Sequence, residues 1–144
     1  MNLELCQKLL EGFLKEVFKK VKYSLKDDHL AIVIENVGLD GIDDDIHIEI
    51  GAFSSGSSYV EFILDKVNPC DEFYKNISKF NDVNTFLKAF VHERGFLVVD
   101  NCVPFNSDEE GFMNNVEYII NTFADPKTIE QLKELTKFTS KPLN

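Results

Sequence analysis

Residues 45–64 read DIHIEIGAFSSGSSYVEFIL, and this stretch decides the fold class. Apolar and polar residues alternate in both of its halves, with the apolar positions recurring every second residue. This period is typical of a β-strand that buries one face, so we predict strands over 45–53 and 59–64. The serine-rich connection centred on Gly56 is too short for a parallel crossover. The two strands are therefore predicted to form an antiparallel hairpin.

The flanking sequence gives the order of the other elements. Apolar residues at three- and four-residue steps over 3–25 predict one amphipathic helix, and the β-branched run over 30–35 predicts a strand. The remaining predictions are a helix over 71–80, a turn over 81–84, strands over 86–91 and 96–103 joined by the turn 92–95, a helix opened by a Ser107–Glu110 capping box and running to Phe123, and a helix starting at Pro126.

These elements predict an α+β fold with a single antiparallel sheet of about five strands. The predicted order is α-β-β-β-α-β-β-α with one further helix, and the helices are expected to pack mainly on one face. A chain of 144 residues, 44% of them hydrophobic, fits one domain over 1–144, with residues 139–144 expected to be frayed. The longest apolar run, 30–34, is too short to span a membrane.

The charge distribution bears on the kind of partner. The net charge is −10, which argues against binding to nucleic acid. Residues 1–26 carry six Lys and three Glu, net +3, so the other 118 residues carry −13. This acidic part either steers a cationic partner to the protein or keeps the protein soluble. Three widely spaced cysteines without a CxxC motif indicate buried, reduced thiols, and no secretory leader is recognisable, so we expect a cytoplasmic protein.

The chemistry-bearing residues do not form a known catalytic pattern. His47 and Glu49 lie on one face of a predicted strand, and they form either a small acid–base or metal site or a solvent-facing polar row. The acidic run 40–45 lacks the ligand spacing of an EF-hand and is better explained as a turn. We therefore predict no catalytic residue, no cofactor-binding residue and no metal ligand.

Phenylalanine is abundant, with 13 Phe and no Trp. Most of these side chains are expected in the core, but the number exceeds what one small sheet needs, and the surplus is expected on an apolar surface patch that binds a protein. Two apolar residues of the first helix fall outside its main stripe, where they either contact a partner chain or are tolerated surface hydrophobes. The candidate partner-binding residues are Leu9, Phe18, Phe53, Phe86, Phe90 and Phe105.

The element order resembles the type III secretion chaperone-like fold, and within it the chain most resembles the YbjN-like family of sensory transduction regulators. The similarity is carried by residues 77–84, by the hairpin 86–99 with its turn His92-Glu93-Arg94-Gly95, and by the closing helix segment 105–123. The extra helix from Pro126 departs from the family plan. The resemblance implies a non-enzymatic protein whose structural relatives bind segments of other proteins, often as homodimers.

Three functions follow from these observations. The first is a protein-interaction module, chaperone-like or regulatory, that binds another polypeptide without a cofactor. The second is an acidic immunity protein that neutralises a cationic toxin. The third is a small enzyme or weak metal-binding domain that uses His47 and Glu49.

Overall fold

Six strands form one antiparallel sheet in the computed structural model, which describes residues 1–101 and 105–140, residue 105 by its backbone alone. In chain order the elements are α1 (Leu3–Val17), β1 (Val21–Lys26), β2 (His29–Leu39), β3 (Ile42–Phe53), β4 (Ser57–Lys66), α2 (Asp71–Val83), β5 (Leu87–Val91), β6 (Phe96–Asn101), the two-residue β7 (Phe105–Asn106), α3 (Glu109–Phe123) and α4 (Pro126–Thr136). The predicted α+β class with a single antiparallel sheet is confirmed, with six strands where about five were expected.

The spatial order of the strands is β1-β2-β3-β4-β6-β5. The first four strands follow one another along the chain, each antiparallel to the one before it. The chain then passes through α2 to the far edge of the sheet, forms β5, and returns as β6 beside β4. β7 pairs with the first two residues of β4. This return brings β6 next to a strand that lies more than 30 residues earlier in the sequence.

The four helices pack on one face of the sheet and enclose the hydrophobic core with it. The inner face contributes alternate residues of the strands, which pack against apolar residues of all four helices; the largest fully buried side chains are Phe62, Phe73, Phe112, Leu10, Leu14, Leu30, Ile32, Ile34, Ile46, Ile48, Ile50 and Leu64. Phe62 of β4 stacks on Phe123 of α3 with ring centroids 3.8 Å apart. Burying one such side chain contributes about 1.5–3 kcal/mol, so this layer supplies the main stabilisation.

The predicted helix over 3–25 is wrong in its last third. α1 ends at Val17, and residues 21–26 form β1. Val21, Tyr23 and Leu25 also recur at every second position, and in the structure Val21 and Tyr23 oppose Ile34 and Ile32 of β2. A ladder of six paired residues satisfies the backbone there, and it outweighs the helical spacing.

Several element ends also differ from the prediction. The predicted turn over 81–84 is wrong, because α2 continues to Val83. The predicted Ser107 cap is wrong, because Asp108 is the N-cap of α3 and its carboxylate accepts a hydrogen bond of 2.8 Å from the Gly111 N–H. β2, β3 and β4 are longer than predicted, and the acidic run assigned to a turn lies partly within β3.

The expected fraying from residue 139 is also wrong at its start. Thr139 is buried and bridges Val67, and the Ser140 N–H donates to the Lys66 carbonyl at 2.7 Å. The rest of the predicted tail, 141–144, lies outside the described residues.

Candidate protein-binding face

The sheet has a second face, opposite the helices, that we call the open face. It carries the alternate residues of each strand that do not point into the core, and most of them are half-buried or exposed. In β2 to β6 these include Ala31, Val33, His47, Glu49, Phe53, Tyr59, Glu61, Ile63, Phe90, Val98 and Asp100. The strand alternation that builds the core on one side therefore leaves a broad mixed surface on the other.

Three carboxylates cross this face in a line that we call the carboxylate row. Glu49 of β3 lies directly opposite Glu61 of β4, and Glu61 lies directly opposite Asp100 of β6. Directly opposed side chains on neighbouring strands have their Cβ atoms about 4.5–5.5 Å apart, which is close enough for strong repulsion between like charges. The sheet register thus holds three negative groups on adjacent strands.

The surroundings of Glu61 and Asp100 disfavour the charged forms of these two carboxyl groups. Burial raises the pKa of Glu61, and the charges of Glu49 and Asp100 raise it further, while His92 lowers it. Burial also raises the pKa of Asp100. Across residues 1–101 and 105–140, no Lys or Arg forms an ion pair with these carboxylates. In this part of the chain the repulsion within the row is therefore opposed by His92 but by no ion pair with Lys or Arg.

The lysine nearest in register to the row is used elsewhere. Lys88 of β5 lies opposite Asp100, but its Nζ donates to the carbonyl oxygens of Asn81 and Asn84 at 2.5 Å each. These carbonyls belong to the last turn of α2 and to its C-cap, where a cation is favourable. Lys88 therefore closes the end of a helix rather than neutralising the carboxylate row.

Apolar and aromatic side chains flank the row on both sides. Ile63, Val98 and Phe90 are aligned on β4, β6 and β5 and form an apolar strip beside it. On the other side the Tyr59 ring covers Gly51, where a Cβ atom would lie only 2.1 Å from that ring. Burial raises the pKa of Tyr59, and the charges of Glu49 and Glu61 add to this shift. The face thus combines anionic groups with apolar anchors at close range.

The structure distributes the six candidate partner-binding residues over several surfaces. Phe53 and Phe90 lie on the open face, where Phe53 stacks on His29 with ring centroids 4.6 Å apart. Phe86 is 54% exposed and contacts Tyr118 edge-on. Phe18 is half-buried and lines a cavity on the helix side, and Leu9 is half-buried on α1. The side chain of Phe105 lies outside the described residues. These six residues therefore do not form a single patch.

The sequence predicts for His47 and Glu49 either a small acid–base or metal site or a solvent-facing polar row. The two residues do share the open face, but His47 Nε2 lies 3.2 Å from the Asp45 carboxylate. No group of three or more His, Cys, Asp or Glu in the described ranges is arranged to hold a metal ion. The acidic run 40–45 instead contributes to the pairing of β3 with β4. The Asp44 carboxylate of β3 is buried and accepts a hydrogen bond of 3.3 Å from the Asp65 N–H of β4.

The cysteines also differ from the expectation of buried thiols. Cys6 is fully buried in the core, and this burial, with the charge of Glu109, raises its pKa to about 11. Cys70 is exposed just before α2, which corrects the prediction at that position. Cys102 lies outside the described residues. Neither described thiol therefore belongs to the open face or supplies a nucleophile to it.

No protein-family model, curated protein or solved structure matches this chain. The YbjN-like resemblance therefore stays a prediction, and the functional argument depends on the open face itself. None of the helices in the described part of the chain is long and apolar enough to cross a membrane.

Proposed function

We propose that this chain is a non-enzymatic interaction module that binds a basic polypeptide on the open face of its sheet. The observation that supports this proposal is the carboxylate row, with Glu49, Glu61 and Asp100 directly opposed on three neighbouring strands. Such an arrangement lowers the stability of the free protein, since like charges directly opposite one another are unfavourable. Departures from locally favourable design are expected where a surface serves binding.

A basic partner would relieve this repulsion. An Arg or Lys side chain placed over the row would make charge-assisted hydrogen bonds with carboxylates that are already partly desolvated. The half-buried Ile63 and the exposed Phe90, on either side of the buried Val98, would hold neighbouring apolar side chains of the same partner. The partner chemistry that fits the face is therefore a segment with basic residues next to apolar ones. Binding such a segment is the activity that a chaperone-like or regulatory module requires.

The experiment compares three forms of the full chain in affinity capture from the native host, followed by mass spectrometry. The first is the wild type, and the second is the triple variant Glu49→Gln, Glu61→Gln, Asp100→Asn. The third carries the same change in charge away from the row, with Glu16→Gln, Asp82→Asn and Glu117→Gln on the helices. We expect the wild type and the helix control to retain a partner with a basic segment and the row variant to lose it. Equal capture by all three proteins would refute the proposal.

The immunity-protein alternative uses the same surface. It is favoured by the charge of −13 outside residues 1–26, which would accelerate capture of a cationic toxin. The two functions differ in what happens to the partner, because an immunity protein abolishes the toxin's activity at stoichiometric amounts. An activity assay of the captured protein, with and without added wild type or row variant, separates them. The third alternative, a small enzyme or weak metal-binding domain at His47 and Glu49, has no group of three or more potential ligands arranged to hold a metal ion within the described ranges.

A further inference from the structure

A cavity of about 550 Å³ opens on the helix side of the sheet, away from the open face. It lies between the end of α1, the second half of β2 and the end of α3. Its floor reaches the buried side chains of Ile48, Phe62 and Phe123, and its walls include Phe13, Val37 and Ile120. A cavity of this size with an apolar lining is typical of sites for small organic ligands.

The local backbone explains why the core does not fill this space. The pairing of β2 with β3 shifts register twice, between Ile34 and Val37 and between Val37 and Leu39, and Asn36 has a positive φ of 55°. Such irregularities bend a strand away from its regular path. The cavity is thus built into the backbone of β2.

The mouth of the cavity is cationic although the protein is acidic. Lys19 and Lys20 lie at the rim and are exposed. The rim also holds Glu35, but its carboxylate is paired with Lys22 Nζ at 3.3 Å. Neither Lys19 nor Lys20 forms an ion pair with a carboxylate of the described ranges. The amides of Asn36 and Asn121 add hydrogen-bond donors to the same lining.

We propose that this cavity binds a single-chain anionic amphiphile, an unbranched long-chain carboxylate. Its alkyl chain lies along the accessible apolar wall of Phe13, Phe18 and Val37, and its carboxylate lies at the mouth beside Lys19 and Lys20. The apolar depth selects the chain, and the rim charge selects an anionic head group over a cationic one. This proposal is independent of the carboxylate row, which lies on the opposite face of the sheet.

The test is calorimetric titration of the full-length protein with decanoate, dodecanoate and tetradecanoate below their micelle-forming concentrations. We expect Kd to fall about fourfold per added methylene, the value for burial of one CH₂ group. Dodecyltrimethylammonium, which has the same chain and the opposite charge, is expected to bind at least tenfold more weakly than dodecanoate. Absence of binding by all three carboxylates, or equal binding of the cationic amphiphile, would overturn the proposal.

Variants locate the ligand. Val37→Phe enlarges a side chain of the cavity wall on the core side of β2 and is expected to weaken dodecanoate binding more than tenfold. Ala124→Phe, at an exposed position of the same lining, is the second blocking variant if the first does not fold. The double variant Lys19→Gln, Lys20→Gln should weaken binding about tenfold, while the charge-matched Lys8→Gln, Lys26→Gln should not. Unchanged affinity in a folded blocking variant contradicts the proposal.

Binding by the Glu61→Gln variant separates this inference from the proposed function. That substitution alters the carboxylate row and leaves the cavity lining intact. We expect it to bind dodecanoate with the affinity of the wild type. A loss of dodecanoate binding in Glu61→Gln would place the ligand on the open face and would overturn the cavity assignment, whatever becomes of the basic partner.

Discussion

Replacing Glu61 by glutamine should make the protein more stable at neutral pH. Glutamine has nearly the same shape as glutamate, so packing on the open face is kept while the central charge of the carboxylate row is removed. Glu61 is the member of the row with a like charge on both sides, Glu49 on one neighbouring strand and Asp100 on the other. The substitution therefore removes two repulsive pairs at once.

The size of the effect follows from the register. A directly opposed cross-strand pair of charges changes stability by roughly 0.2–1 kcal/mol, so two repulsive pairs correspond to about 1 kcal/mol. For a chain of this length that is a rise in Tm of about 2–4 °C. Glu49→Gln and Asp100→Asn each remove one repulsive pair, because their other neighbours in register are Val33 and Lys88. We expect each of them to give about half the effect of Glu61→Gln.

The pH dependence tests the electrostatic origin of this gain. The pKa of Glu61 is raised above its ordinary value of 4.5, so the folded protein holds this proton to a higher pH than the unfolded chain does. The unfavourable contribution is therefore fully present above the raised pKa, and it is lost as the pH falls through the raised pKa and below 4.5. The advantage of Glu61→Gln at pH 7 should disappear near pH 3.5.

Urea unfolding monitored by circular dichroism measures these differences, at pH 7 and pH 3.5 and in low and high salt. The control is Glu117→Gln on α3, which changes the net charge equally but lies outside the row. High salt should reduce the advantage of Glu61→Gln, since screening weakens charge repulsion. The reasoning is refuted if Glu61→Gln is no more stable than Glu117→Gln, or if its advantage is unchanged at pH 3.5.

Three further predictions concern stability and reactivity. Gly12→Ala should raise the free energy of unfolding by about 0.5–1 kcal/mol in a urea titration, because Gly12 is inside α1 and an added Cβ meets nothing within 4 Å; a loss of stability would contradict this. Asn81→Ala should lower the free energy of unfolding by about 1–3 kcal/mol, because the side-chain amide of Asn81 accepts from the Ala89 N–H at 2.7 Å and donates to the Ala89 carbonyl at 3.0 Å. Hydrogen exchange at the Ala89 amide should accelerate, and an unchanged exchange rate would contradict these two hydrogen bonds. At pH 8, N-ethylmaleimide should modify Cys70 long before Cys6, whose burial raises its pKa to about 11; peptide mass spectrometry gives the order, and faster labelling of Cys6 would be inconsistent with the core.

The sequence predicts the sheet class and most elements, and its errors have identifiable causes. The hairpin of β3 and β4 is unambiguous, because strict alternation and a short connection allow one arrangement. Residues 17–25 are ambiguous, since Val17, Val21 and Leu25 are four residues apart and Val21, Tyr23 and Leu25 are two apart. Only the pairing with β2 decides between helix and strand, and that pairing is a tertiary contact.

The carboxylate row shows what local patterns cannot supply. The alternation places Glu49 and Glu61 on the polar faces of their strands, and the predicted hairpin brings these strands together. The position of Asp100 beside Glu61 depends on the return of the chain through α2 and β5, which pairs β6 with β4. No pattern within β4 or β6 predicts that Asp100 lies beside Glu61. The sequence therefore predicts that Glu49 and Glu61 are close together, but not the complete carboxylate row.

The double hydrogen bond between Asn81 and Ala89 limits how copies of this protein can assemble through their sheets. Asn81 occupies the outward backbone groups in the middle of β5, so a strand from another molecule cannot pair there. β1, at the other end of the sheet, pairs with β2 alone. When two molecules pair β1 with β1, the unpaired edge strand of each sheet is occupied. A third molecule then finds no free β1 edge to pair with. Edge-to-edge pairing of these sheets is therefore limited to a β1–β1 dimer.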